Sequence, residues 1–409
     1  MDEYNLGSLI RVNRICQNIS CRSLAEMCKM QASQLSKIER GLEKGTDKVI
    51  QNILSELDLD IDYVFENSKL LQSEFRDVYL SIAYCKNDAE EQLAVFNRKY
   101  FSKFESIEVI LANYIIFSMK KINKIKFLNM HHILNECLNN MTIWQKQLYY
   151  EYYGYYLYCQ NNYEEAKKYY QLALNLCIDE LNRSMVYYHM ALLYEKQNDL
   201  VEAFRYNQNA TELFNKTKNI RRTVHTASQL GTLNCRVGKF QLGFEILIQC
   251  IETMELIGYK DQLDNIYRKL IWYNIVSHDY AKASYYLNIS YSYNQENIYY
   301  YFYATWVCYQ LGNYEKAMQC ASIAKTLNGP TYIKKLVEVT RNMIENKDSI
   351  IILEKLEALY SKVATTTAYT IQEFVLDLIN SEYLKYKNYE KLYYYTNQLV
   401  LLYRNKNLL

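Results

Sequence analysis

Residues 24–41 read Leu-Ala-Glu-Met-Cys-Lys-Met-Gln-Ala-Ser-Gln-Leu-Ser-Lys-Ile-Glu-Arg-Gly. Leu24, Met27 and Cys28 fall on one face of a first short helix, and Leu35 and Ile38 on one face of a second, at the spacings of three and four that an α-helix requires. Two short amphipathic helices joined by a tight turn make a helix-turn-helix. Ala25 is small where the helices cross, Ser20 is placed to cap the first helix, and Gly41 stands where the second should stop. The second helix then presents Gln31, Ala32, Ser33, Gln34 and Lys37 outward. These types suit base reading. Gln bonds an adenine edge through two hydrogen bonds, Ser donates or accepts, Ala touches a thymine methyl, and Lys reaches guanine or phosphate.

Charge supports that reading locally. The whole chain carries a formal net charge of only +2. Residues 7–48, however, hold Arg11, Arg14, Arg22, Lys29, Lys37, Arg40, Lys44 and Lys48 against Glu26, Glu39, Glu43 and Asp47. Positive charge is concentrated where phosphates would be met. The candidate DNA-binding set is therefore Arg11, Arg22, Gln31, Ala32, Ser33, Gln34, Lys37, Arg40 and Lys44.

Residues 6–66 resemble the lambda-repressor-like (XRE) DNA-binding domain. The resemblance is carried by Leu6-Gly7, Ile10-Arg11, Arg14, Ser20, Leu24-Ala25 and the run Leu35-Ser36-Lys37-Ile38-Glu39-Arg40-Gly41. It continues through Ile53, Leu57, Leu59, Ile61 and Tyr63-Val64-Phe65. It implies five helices and a structural ion pair between Arg14 and Glu39. It also implies that Lys29 stands at a turn position usually held by Gly, so Lys29 must accept a left-handed conformation at about 1–2 kcal/mol.

The remainder of the 409 residues has room for a second, larger domain. Ten Gly and one Pro leave little to punctuate sheets or long loops, so an almost wholly helical chain with short connections is expected. Residues 67–74 lack both residues and read as a helical linker. From residue 75 to 409 a repeat emerges, resembling the tetratricopeptide pattern of aromatic and small residues. It runs through Tyr153-Gly154, Tyr163, Ala166 and Ala173, then Tyr187, Ala191, Ala203 and Ala210, then Leu230-Gly231, Gly243 and Leu247. Further copies hold Tyr267, Tyr280, Ala283 and Leu287, then Tyr301, Tyr314, Ala317 and Ala324, with a weaker one at Tyr383, Tyr389, Leu392 and Leu399. The turns beginning Asn162, Asp279 and Asn313 mark the start of second helices. Small residues let helix pairs approach while large ones fill the gaps between them. The fold class expected is all-α, an N-terminal five-helix XRE-type helix-turn-helix domain followed by a right-handed tetratricopeptide-like superhelix.

Inward positions of the first helices yield a candidate peptide-binding wall of Tyr188, Glu195, Ser228, Thr232, Arg236, Asn265, Arg268, Trp272, Asn274, Tyr299, Phe302 and Trp306. Asn can bond a peptide backbone, Arg a carboxylate, and aromatic faces can bury apolar side chains. A helix-turn-helix followed by such an array resembles the RNPP family (Rap, Rgg, NprR, PlcR and PrgX) of peptide-responsive regulators. That resemblance implies a cytoplasmic homodimer that binds operator DNA and a short signalling peptide, with the peptide setting the fit of the reading helices to paired half-sites. The alternative is a regulator whose repeats bind a partner protein, such as a response regulator or phage factor.

Other chemistry is not expected. Gly41 to Thr46 lacks the order of a phosphate loop. His132, Glu136 and Cys137 make a poor metal set, and no cofactor or catalytic constellation is indicated. The eleven cysteines are dispersed with no C-x-x-C pair, as in a reducing cytoplasm. No apolar run is long enough for a membrane span, and Met1–Tyr4 does not begin like a signal peptide.

Overall fold

The computed structural model describes residues 6–100, 103–120, 124–293, 296–345 and 348–404. The reading of Met1–Tyr4 lies outside them. The described residues are helical with short connections, and they divide into two compact units. One is Met1–Leu193 with Glu212–Arg222; the other is Tyr194–Thr211 with Thr223–Leu409.

The first unit opens with α1 (Leu6–Cys16), α2 (Cys21–Met27), α3 (Ala32–Glu39), α4 (Asp47–Glu56) and α5 (Ile61–Ala83). Side-chain caps start three of them. Ser20 accepts from the Ser23 amide at 3.0 Å, Thr46 from Val49, and Asp60 from Tyr63. Leu9, Ile10, Val12, Leu24, Ala25, Leu35, Ile38, Ile53 and Leu54 form the core between these helices. Met27 departs from expectation: it is 42 % exposed, and the inward residues are Leu24 and Ala25 of α2 with Cys28 at its C-cap. In a helix this short, residue i+3 rotates past the contact that i+4 keeps.

The segment 67–74 lies in the middle of α5, where Leu71 is buried. Next come α6 (Ala89–Tyr100), α7 (Ile107–Lys120), α8 (Lys124–Glu136), α9 (Ile143–Cys159) and α10 (Tyr163–Leu176). The first helices are seated on this group. The Asn13 amide donates to Glu105 O at 2.7 Å and accepts from Glu105 N–H at 2.9 Å, Arg11 donates to Glu136 O at 2.8 Å, and Asn140 donates to Glu39 O.

The boundary between units passes through α11 (Glu180–Lys196), α12 (Leu200–Lys216) and α13 (Ile220–Arg236). The second unit continues with α14 (Phe240–Leu256), α15 (Leu263–Val276), α16 (Tyr280–Ser290), α17 (Ile298–Gln310) and α18 (Tyr314–Thr326). It ends with α19 (Thr331–Ile344), α20 (Ser349–Val363), α21 (Tyr369–Lys385) and α22 (Tyr389–Arg404). Second helices begin at Tyr163, Tyr280 and Tyr314, as their turns predict.

Small residues sit at the close approaches. A Cβ on Gly154 would stand 2.8 Å from the Tyr170 ring, and one on Gly243 would stand 2.7 Å from Gly231 O. Ala166, Ala173, Ala283 and Ala317 have no exposed surface. The first helices share one way of ending. Two residues past each last helical residue, Asn161, Asn198, Gly238, His278, Gly312 and Lys387 all take positive φ, between 58° and 81°. The amide after Asn161 returns to Leu157 O at 2.9 Å, the six-to-one bond that closes a helix end.

Candidate functional site

The helix-turn-helix face is built from α2, the turn at 28–31, and α3. Lys29 holds the turn with φ of +55°, and Asn52 of α4 donates to Cys28 O at 3.1 Å. Behind α3, Arg14 clamps Glu39 through two bonds, Nε to Oε1 at 2.6 Å and a terminal nitrogen to Oε2 at 2.9 Å. Glu39 is buried, and its hydrogen bond is the chief cause that raises the Arg14 pKa. With Leu35 and Ile38 also inward, the rotation of α3 is set, and its opposite side faces solvent.

Gln31, Ser33 and Lys37 are exposed on that side, with Ala32 and Gln34 half-buried beside them. Gln31 stands at the N-cap yet makes no capping bond with its side chain. A depression of about 640 Å³ lined by Lys29, Gln31, Gln34, Val49 and Asn52 adjoins the start of the helix. The remaining candidates are distributed differently. Arg22 is exposed and paired with Glu26 at 3.0 Å, Arg40 donates to Ser36 O at 3.1 Å, and Lys44 is exposed in the following loop. Arg11 points elsewhere, to the end of α8.

The candidate peptide residues fall in both units. Tyr188, in the first, packs against His189 and Phe214, with the Arg222 guanidinium 5.9 Å from its ring centre. The others lie in the second unit. Glu195 accepts from Gln229 at 3.0 Å, and Arg236 donates to Glu195 O at 2.8 Å and to Asn198 Oδ1 at 2.5 Å. Thr232 donates to Ser228 O at 2.9 Å. Asn265 donates to Gln262 at 3.3 Å. Asn274 is buried and donates to Leu270 O of its own helix at 2.7 Å.

The aromatic candidates divide into two groups. Trp272, Phe302 and Trp306 are enclosed around Phe374 of α21, with ring centres 5.3, 6.1 and 5.1 Å from it. They are packing that shapes the wall. Tyr299 is half-buried and its hydroxyl meets that of Tyr332 at 2.9 Å. Tyr299 and Arg268 line a cavity of about 430 Å³ together with Tyr293, Glu296, Asn297 and Pro330. Among the described residues, Arg268 has one ion-pair contact, with Asp264 at 3.4 Å.

The wall also contains Lys269, which the inward-position rule passes over because it is the neighbour of Arg268. Its ammonium crosses from α15 to Ser228 Oγ at 2.8 Å. Burial holds its pKa below the usual lysine value. Among the described residues no group of three or more His, Cys, Asp or Glu side chains could hold a metal ion, and none of the eleven cysteines is joined in a disulfide. No helix there is long and apolar enough to cross a membrane.

No family model matches the sequence, and no curated protein sequence is similar to it. Solved structures are similar. A Rap protein in complex with competence and sporulation factor aligns with a TM-score of 0.66 at 15% identity, covering 83% of this chain and 99% of that one. NprR in complex with its cognate peptide NprX aligns at 0.60 and 13% identity, covering 82% and 99%. Aspartyl phosphate phosphatase F from Bacillus subtilis aligns at 0.56 and 15% identity, covering 81% and 93%. The chain has the all-helical repeat fold of the Rap and NprR proteins.

Proposed function

We propose that the chain is a peptide-gated transcription regulator, a homodimer that reads operator half-sites through α3 and binds a short signalling peptide on its repeats. Residues 1–66 are the DNA-reading domain in this reading, 67–74 the helical linker, and 75–409 the peptide-binding and pairing domain. The observation that carries it is the solvent-facing side of α3, where Gln31, Ser33, Gln34 and Lys37 stand on a helix whose rotation the Arg14–Glu39 clamp holds. Lys29 and Lys44 add positive charge beside that face.

Peptide binding is supported by the repeat fold shared with Rap and NprR, both of which are seen with a signalling factor or peptide bound. Of the candidate residues in the second unit, Glu195, Asn265, Arg268 and Tyr299 are half-buried rather than enclosed, and we assign them contacts with the ligand. Pairing is supported by α22. Tyr389, Tyr393 and Val400 recur at helical spacing along it and are 65, 71 and 38 % exposed, an apolar stripe of the kind that marks association.

The test is a titration of purified protein into fluorescent duplexes from the region upstream of its own gene. It is run with and without peptides encoded by short neighbouring reading frames. Saturable peptide binding that shifts DNA affinity establishes the reading. Intact DNA binding with no response to any peptide would favour repeats that serve a protein partner.

A further inference from the structure

We propose that the wall around Lys269 is an anion subsite that takes a carboxylate of the bound ligand, so that the cognate peptide is acidic at one position or engages through its C-terminus. The inference rests on reading the repeats as a peptide receptor.

Lys269 Nζ donates to Ser228 Oγ at 2.8 Å and lies 3.4 Å from Ser228 O. An ammonium has three donors, and both of these acceptors are neutral. Among the described residues no carboxylate pairs with it. The acid that acts on it electrostatically, Glu195, takes a hydrogen bond from Gln229 at 3.0 Å. Its other titratable neighbours are Arg268, of like charge, and the thiols Cys235 and Cys250, which burial pushes up to about 12 and about 11. At neutral pH those thiols supply no negative charge.

A half-buried ammonium with no carboxylate at ion-pair distance retains donor capacity that an incoming carboxylate fills better than an amide can. A carboxylate offers about four lone-pair sites, enough for more than one donor. A basic residue at that place would meet Arg268 and Lys269 with like charge, so the wall selects against it.

The probe is a randomised heptapeptide library, acetylated at the N-terminus and made in two forms, with a free C-terminal carboxylate and with a C-terminal amide. Immobilised full-length protein captures peptides, which are sequenced by mass spectrometry. Enrichment of Asp or Glu at one position in both forms identifies a side-chain carboxylate. Enrichment of the free-acid form over the amide identifies the C-terminus. Either preference should fall about tenfold in Lys269→Met. Lys269→Gln is the second variant, and circular dichroism checks that both fold. Capture with no preference for a carboxylate, or a preference unchanged in both variants, overturns the subsite and leaves the receptor reading standing. No capture of any form removes both.

Discussion

Arg14 and Glu39 form a two-bond ion pair that joins the first helix to the end of the third, with side chains 12 and 3 % exposed. Arg14 also donates to Ile19 O at 2.8 Å, tying in the loop before α2. Removing one partner leaves the other charge buried. Glu39→Ala should therefore destabilise the N-terminal helices by about 3–5 kcal/mol, measured by denaturant unfolding. Lys37→Ala, on the exposed side of the same helix, should change stability by less than about 0.5 kcal/mol.

Lys29 occupies the left-handed region with an exposed side chain. Replacing it by Gly removes the Cβ penalty of about 1–2 kcal/mol and adds a smaller entropic cost. Lys29→Gly should raise the melting temperature of the N-terminal helices. A lowered one would show that the lysine side chain stabilises the turn.

The Arg14–Glu39 pair and the left-handed Lys29 are both implied by the resemblance of residues 6–66 to the lambda-repressor-like domain. Repeat positions are legible from residue size. Gly154, Gly243 and the buried alanines lie where helices touch, and size alone marks them. Other features were not legible. The left-handed residue that ends the first helices is Gly at positions 238 and 312, but Asn161, Asn198, His278 and Lys387 do the same work without that signature. Lys269 was hidden because register assigns a face only to within one residue, which is about 100° on a helix. The enclosure of Phe302 by Phe374 depends on a contact 72 residues away in sequence, which no local spacing encodes.

At Gly243 a methyl group would press on Cys235 Sγ and on the backbone carbonyl of Gly231. Backbone cannot move aside as a side-chain tip can, so Gly243→Ala should cost about 1–3 kcal/mol. Gly238→Ala meets nothing within 4 Å, and its cost arises only from the φ of +81°. Thermal unfolding of the two variants, with Gly238→Asn as a tolerant control, separates crowding from backbone strain.

Glu105 lies against α1, where burial raises its carboxyl pKa to about 7. Below the ordinary carboxylate range, folded and unfolded states are both protonated there, and the group has no effect. As pH rises toward 7 the unfolded state ionises first, so this site lowers stability progressively and holds the deficit above pH 7. Glu105→Gln should be more stable than the parent at pH 8 and equal to it near pH 4. Melting curves across that range check the sign.

DNA reading by α3 is the claim on which the rest depends, and competitive fluorescence anisotropy tests it most directly. The parent protein and Gln34→Ala/Lys37→Ala are each titrated against a duplex from the upstream region and a scrambled duplex of equal length, at fixed salt. The parent is expected to prefer the upstream duplex and the double variant to lose that preference, with an unchanged circular dichroism spectrum. Equal preference in parent and variant would contradict the assignment of α3 as the reading helix.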